Sequence, residues 1–193
     1  GKIENVKSSF GFSARNLLKI IPKHRLFNKK LGGGAIHDVG CYPSSFSLLI
    51  ARLLQKQDQE LKFDLQDVTG KINFRGTDDE AHAKIIFKNQ FKAELDIAIT
   101  KKMENSIIIS GSKGKIAIHD PWLPNKKVFL EVVTKSKKYE KEIISKYSIY
   151  ANSIKYASDL IEKKETKCKF PLMTLEDSMI NMQIVNKWKN ALY

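Results

Sequence analysis

Ala81-His82-Ala83-Lys84-Ile85-Ile86-Phe87, then Lys88-Asn89-Gln90, then Phe91-Lys92-Ala93-Glu94-Leu95-Asp96-Ile97-Ala98-Ile99-Thr100, is the stretch from which the architecture can be read. Apolar and polar residues alternate through both outer segments. That period of two belongs to pleated strands with one buried face. The polar tripeptide between them is a turn signal, so the two strands are expected to be antiparallel neighbours.

The same pattern extends outward in both directions. Upstream, Val68 to Phe74 reads as a strand, ended by the turn signal Gly76-Thr77-Asp78-Asp79. Downstream, Ser106 to Ser110 and Lys115 to His119 flank Gly111-Ser112-Lys113-Gly114 and form a candidate hairpin. Val128 to Thr134 and Tyr139 to Ile144 add two more strands.

The ends of the chain differ from its middle. Lys2 to Ala14 reads as a first strand, followed by an irregular segment with Ile20-Ile21-Pro22 and Phe27-Asn28-Lys29-Lys30. From Ala35 to Leu54, Ile36, Val39, Pro43, Phe46, Leu49, Ile50 and Leu53 recur mostly at helical spacings. Pro43 should kink that helix near Val39 by removing a backbone donor. Tyr147 to Lys163 and Met179 to Leu192 read as two further helices, the second preceded by a capping box formed by Thr174 and Asp177.

Strands segregated from helices predict an α+β fold: a largely antiparallel open sheet with helices packed on one face. Ile97-Ala98-Ile99 and Ile107-Ile108-Ile109 direct apolar groups to both faces. The other face is therefore expected to be available for dimerisation, making the protein a homodimer or higher homo-oligomer.

Composition narrows the function classes. The 193 residues are 42% hydrophobic and 28% charged, an ordinary globular balance for one domain. The longest apolar run, Phe46 to Leu54, is interrupted by Arg52, so no membrane span is expected. Two cysteines far apart, Cys41 and Cys168, argue against a disulfide framework, and no signal-peptide pattern opens the chain. A cytoplasmic location is expected. The net charge of +13 comes from scattered lysines, with arginine only at positions 15, 25, 52 and 75. That distribution suits a solvated surface better than a nucleic-acid footprint.

Chemistry concentrates in Gly32-Gly33-Gly34-Ala35-Ile36-His37-Asp38-Val39-Gly40-Cys41-Tyr42-Pro43. Glycines before a helix permit unusual dihedrals and close approach. Asp38 and Tyr42, four apart, would share a helical face, where a phenol and a carboxylate can move a proton to or from a hydroxyl or carbonyl oxygen. A free phenol titrates near ~10, so a base role at neutral pH requires a cation nearby. The spacing is neither a dinucleotide fingerprint nor a phosphate loop. His37, Asp38 and Cys41 lack a second ligand pair with zinc spacing. Spacing alone also allows a glycine-rich helix start whose Asp38 merely satisfies backbone donors.

The twelve residues from Gly32 to Pro43 resemble the second signature of the Gfo/Idh/MocA oxidoreductase family, in its glucose–fructose oxidoreductase and dihydrodiol dehydrogenase-like branch. The resemblance extends over nearly the whole chain. His24 to Asn28 is similar to the lead-in to the glycines, and Ile109 to Ile116 to a Gly-x-x-Gly hairpin. Asp120-Pro121-Trp122 is similar to an aromatic segment at the substrate pocket. Pro171-Leu172-Met173 with Glu176-Asp177-Ser178 is similar to the approach to the last helix, which Asn181-Met182 and Trp188 continue.

The resemblance implies a C-terminal substrate-binding and dimerisation domain spanning residues 1–193. Its catalytic residues would be Tyr42, as proton donor or acceptor, and Asp38. Arg25, His37 and Trp122 would border the substrate, and Gly33 and Gly34 would lie beside the cofactor, NAD or NADP. The implied substrate is a sugar, cyclitol or diol hydroxyl. The family's N-terminal Rossmann domain and its Glu-Lys-Pro motif have no counterpart in this sequence. The chain by itself is therefore expected to bind the cofactor poorly and to turn over nothing. Its opening on Gly1 favours part of a longer enzyme over the alternative, a non-catalytic dimerisation or sugar-binding module.

Overall fold

A computed structural model describes residues 1–20, 24–55 and 61–193. Ile21-Pro22, part of the expected irregular segment, lie outside the described residues. The elements run β1 (Ile3–Gly11), α1 (Arg15–Ile20), α2 (Ala35–Asp38), α3 (Cys41–Leu54), β2 (Phe63–Ile72), β3 (Asp78–Phe87), β4 (Lys92–Ala98), β5 (Ser106–Gly111), β6 (Gly114–His119), β7 (Lys127–Thr134), β8 (Lys138–Ile144), α4 (Ile149–Glu162) and α5 (Leu175–Leu192). Two single 3-10 turns, Arg25–Phe27 and Lys29–Leu31, lead into the glycines.

The described strands form one sheet in the order β2-β3-β4-β1-β5-β6-β7-β8. Every neighbouring pair is antiparallel except β1 and β4, so the first strand lies in the middle of the sheet. The fold is the expected α+β arrangement.

Alternation decides which residues face the helices. Val6, Phe10, Ala83, Ile85, Leu95, Ile97 and Ile107 are buried there against Ile36, Leu48, Ala51, Ile184, Val185 and Trp188 of α2, α3 and α5. The opposite face of β1, β3 and β4 carries ion pairs. Lys7 meets Glu94 at 2.9 Å, His82 Nδ1 meets Asp96 at 2.9 Å, and Lys84 meets Asp67 at 3.6 Å. The apolar character expected on that side is thus diluted by charge. Ile107 points to the helices, while Ile108 sits in register with Lys7 on the other face.

Some boundaries differ from the sequence reading. The helix expected over 35–54 is two helices, broken at Val39–Gly40. Pro43 is not a mid-helix kink: it lies in the first turn of α3, where its missing N–H is lost to no partner. The strand expected to begin at Val68 begins at Phe63. A bulge between Gln66 and Thr69, with Asp67 at φ 51°, interrupts its alternation. The expected capping box is present: Thr174 Oγ1 accepts from the Asp177 N–H at 3.1 Å. Its helix starts at Leu175, before the first recurring apolar residue. No residue of α4 is buried.

The apolar face of α3 divides. Ser44, Ser47, Leu48, Ile50 and Ala51 are buried in α3, whereas Leu53 is 55% exposed. The small inward residues let α5 approach closely. The Ser44 hydroxyl donates to Asn181 Oδ1, and the Asn181 amide donates to the Cys41 carbonyl at 3.2 Å.

Candidate active site

The loop before α2 is shaped by its own contacts. Gly33 N–H donates to the Asn28 carbonyl at 3.0 Å and Gly34 N–H to the Leu26 carbonyl at 2.8 Å. A Cβ at Gly33 would strike the carbonyls of Arg25 and Leu26. Gly34, at φ 116°, lies against the Asp78 carboxylate with no room for a Cβ. Both glycines, expected beside a cofactor, are therefore required by packing within this chain.

Asp78 was not singled out by its sequence context, yet it organises the loop. It is wholly buried. Its Oδ2 accepts from the Ile36 N–H at 2.6 Å, and its Oδ1 accepts from the Tyr193 hydroxyl at 3.1 Å. Lys189 of α5 donates to the Gly33 carbonyl at 3.0 Å. His37 Nδ1 stands 3.0 Å from the Gly32 carbonyl and 3.2 Å from Lys189 Nζ. A protonated Nδ1 can donate to the carbonyl; an unprotonated one can accept from the ammonium.

Asp38 closes α2 and Tyr42 lies in the first turn of α3, so the two are on consecutive helices rather than one. Arg25 Nη1 donates to Asp38 Oδ1 at 2.7 Å, with Asp38 mostly buried and Arg25 mostly exposed. Arg25, expected to border substrate, thus holds the carboxylate.

Tyr42 is half-exposed and packs edge-on against Phe10 (ring centroids 5.2 Å apart) and Trp122 (6.2 Å). Trp122 stacks on Phe10 at 5.6 Å, and its indole N–H donates to the Ser9 carbonyl at 2.8 Å. Phe10 is a site residue that the sequence disguised, because an apolar residue in alternation reads simply as core. No hydrogen bond to the Tyr42 hydroxyl occurs among the described residues. Partial burial pushes its pKa up, and Cys41, Asp38 and Tyr150 push it the same way. Burial likewise raises the Cys41 thiol. The site is thus built to keep the phenol protonated.

From Tyr42 a cleft of about 350 Å³ runs along α3. Phe46, Leu49, Trp122, Ile149 and the segment from Phe170 to Met173 line it. At its far end Arg52 donates to Asp177 and Glu176, both at 2.9 Å. Among the described residues no cluster of His, Cys, Asp and Glu could hold a metal ion.

A nicotinamide cofactor fits this chain only at its reactive end. The Tyr42 hydroxyl, open to solvent and unpartnered among the described residues, could face the reacting oxygen beside a nicotinamide. The glycine loop is packed against its own carbonyls and Asp78, so it offers no vacant cradle for a pyrophosphate. Nor does the sequence contain a dinucleotide fingerprint.

Known proteins share this fold and part of this sequence. Residues 1–117 match the family model described as the GFO/IDH/MocA C-terminal domain. The chain is 23% identical over 192 residues to a trans-1,2-dihydrobenzene-1,2-diol dehydrogenase of Xenopus tropicalis, covering 97% of this chain and 53% of that protein. It spans about half the length of this curated relative. A crystal structure of a 3-ketoreductase variant from Actinomadura kijaniata, in complex with TDP-benzene and NADP, superposes with a TM-score of 0.77 at 16% identity, covering 98% of this chain and 54% of that one. An aldose-aldose oxidoreductase from Caulobacter crescentus, complexed with glycerol, superposes with a TM-score of 0.75 at 18% identity, covering 99% and 53%. These superpositions show that the fold is shared. Among the described residues no helix is long and apolar enough to cross a membrane.

Proposed function

The chain belongs to the GFO/IDH/MocA family, whose C-terminal domain it carries, and from that premise we propose that it is the substrate-binding, catalytic half of an NAD(P)-dependent oxidoreductase acting on a sugar, cyclitol or diol hydroxyl. Residues 1–193 form that half, and polypeptide outside them supplies the Rossmann domain. The cofactor, when bound, takes or gives the hydride.

This chain's residues handle the proton and the position of the substrate. Tyr42, kept protonated by burial and by the neighbouring Asp38, donates to a carbonyl oxygen in the reducing direction. In the oxidising direction it must accept a proton, which requires a cation brought by the rest of the protein. Asp38, steadied by Arg25, orients the substrate, and Trp122 walls the site. His37, tied to Gly32 and Lys189, sets the loop beside them.

The observation that carries this reading is the Tyr42 hydroxyl: half-exposed, unbonded among the described residues, and at the mouth of a cleft. A homodimer through the open face of the sheet, in the cytoplasm, completes the proposal. The exposed apolar side chains of β7 and β8, among them Phe129 and Ile144, support the dimer. The test is Tyr42→Phe in the full-length protein. Turnover is expected to fall by about 10²–10⁴. Unchanged turnover would remove Tyr42 from the mechanism.

A further inference from the structure

Asp38 and Tyr42 share no helical frame. α2 ends at Asp38 and α3 begins at Cys41. The Tyr42 N–H donates to the Val39 carbonyl at 3.3 Å rather than to Asp38 four residues back. A single rigid helix would fix the phenol against the carboxylate; here another element must do so.

α5 reaches both sides of the break. Near its C-terminal end Lys189 donates to the Gly33 carbonyl at 3.0 Å and meets His37 Nδ1 at 3.2 Å. About two turns nearer its start, roughly 12 Å along the axis, Asn181 Nδ2 donates to the Cys41 carbonyl at 3.2 Å. That carbonyl and the Tyr42 N–H belong to one planar peptide group. Holding the carbonyl therefore holds the backbone from which the phenol hangs. Ser44 closes a ring: its hydroxyl donates to Asn181 Oδ1 and lies 3.3 Å from the same Cys41 carbonyl.

Both polar side chains are buried between the helices. Aliphatic residues would pack there without the desolvation that polar ones suffer. What the hydrogen bonds add is direction, since they are satisfied in one register and one rotation of α3 against α5.

Resting on the oxidoreductase reading above, we infer that Asn181 is a positioning residue, which anchors the Cys41–Tyr42 peptide to α5 and so sets the phenol against the reacting oxygen. α5 is the common frame for Tyr42 at one end and the His37 loop at the other. Asn181 does not line the cleft, so it acts on the reaction through Tyr42 and leaves the substrate's walls in place.

The test uses the full-length protein with NADP or NAD. Asn181→Leu keeps the approximate volume and removes both hydrogen bonds. Because a misplacement of about 1 Å can cost about 10²-fold, kcat is expected to fall by about 10–100-fold while KM stays nearly constant. Asn181→Ala removes the same bonds without the bulk of leucine and is read in the same way if the leucine variant does not fold, which circular dichroism checks.

A purely structural role could also lower kcat, so a double-mutant cycle with Tyr42→Phe decides. If Asn181 works through the phenol, adding Asn181→Leu to Tyr42→Phe should cost no further turnover. Losses that multiply would overturn the inference, as would a rise in KM that accounts for the whole loss. Full activity of the folded Asn181 variants beside a crippled Tyr42→Phe would remove the inference alone and leave the oxidoreductase reading standing. Undiminished turnover in Tyr42→Phe would remove that reading and the inference with it.

Discussion

Lys189 Nζ lies 3.9 Å from the carboxylate of Asp78, which solvent does not reach, and the pair joins the last helix to the start of β3 beside the loop that opens α2. The same carboxylate accepts from the Ile36 N–H and the Tyr193 hydroxyl. A buried carboxylate is tolerated only while these partners persist. Asp78→Ala is therefore expected to cost about 3–5 kcal/mol of unfolding free energy, as for other broken buried ion pairs. Lys189→Met leaves the carboxylate two hydrogen-bond donors and should cost less. Urea denaturation of both variants checks the order; an Asp78→Ala protein as stable as the parent would contradict it.

The Tyr42 phenol should titrate above the ordinary tyrosine range in this chain, because burial, Cys41, Asp38 and Tyr150 all push its pKa upward. Phenolate absorbance in the ultraviolet, taken as the difference between the chain and its Tyr42→Phe variant, follows this one group. Asp38→Asn should bring the midpoint back down, since it removes one of the causes. Joining the chain to a cationic partner domain should lower the midpoint further. A midpoint at or below the free value in the chain alone would show that a cation already reaches the phenol.

Glu80 predicts an acid limb to stability. Its carboxyl is held below the usual range, first by its hydrogen bond to Lys101 and also by Lys71. A carboxylate with a lowered pKa in the folded state contributes fully above its unfolded pKa and loses that contribution as pH falls through the folded one. Stability should therefore decline on acidification below the ordinary glutamate range, and less steeply in Glu80→Gln. Parallel pH profiles of melting temperature for the two proteins would show the ion pairs to be idle.

The sheet was legible because its signal is local. Residues Ala81 to Thr100 alternate cleanly, and their hairpin register follows directly, with Ala83 opposite Leu95 and Ile85 opposite Ala93. The insertion of β1 between β4 and β5 was not legible, because pairing between distant strands leaves no mark on either strand's alternation. The break between α2 and α3 escaped the periodicity, which runs unbroken through Val39. Gly40 was its sign: a Cβ there would strike the Ile36 carbonyl.

The candidate site divides along the same line. Tyr42, Asp38 and Trp122 could be named from a resemblance, and the Tyr42 and Trp122 rings lie edge to face 6.2 Å apart. Arg25 was named, but its bond to Asp38 depends on the turn at Arg25–Phe27, which carries no strong sequence signal. Asp78, Lys189 and Tyr193 were invisible. They converge from three remote stretches of chain, and an isolated acid, base and phenol look like surface residues until folding brings them together.

The central position of β1 has a consequence for assembly. β2, β3 and β4 can zip as one meander and β5 to β8 as another, each from neighbouring segments, but the two meanders share no edge. The nine residues of β1 are the seam. Until that seam closes, two ladders of unpaired amides and carbonyls face each other, an invitation to the wrong strand or the wrong molecule. β1 is thus the strand that the sheet can least do without, and removing it would split the domain rather than shorten it.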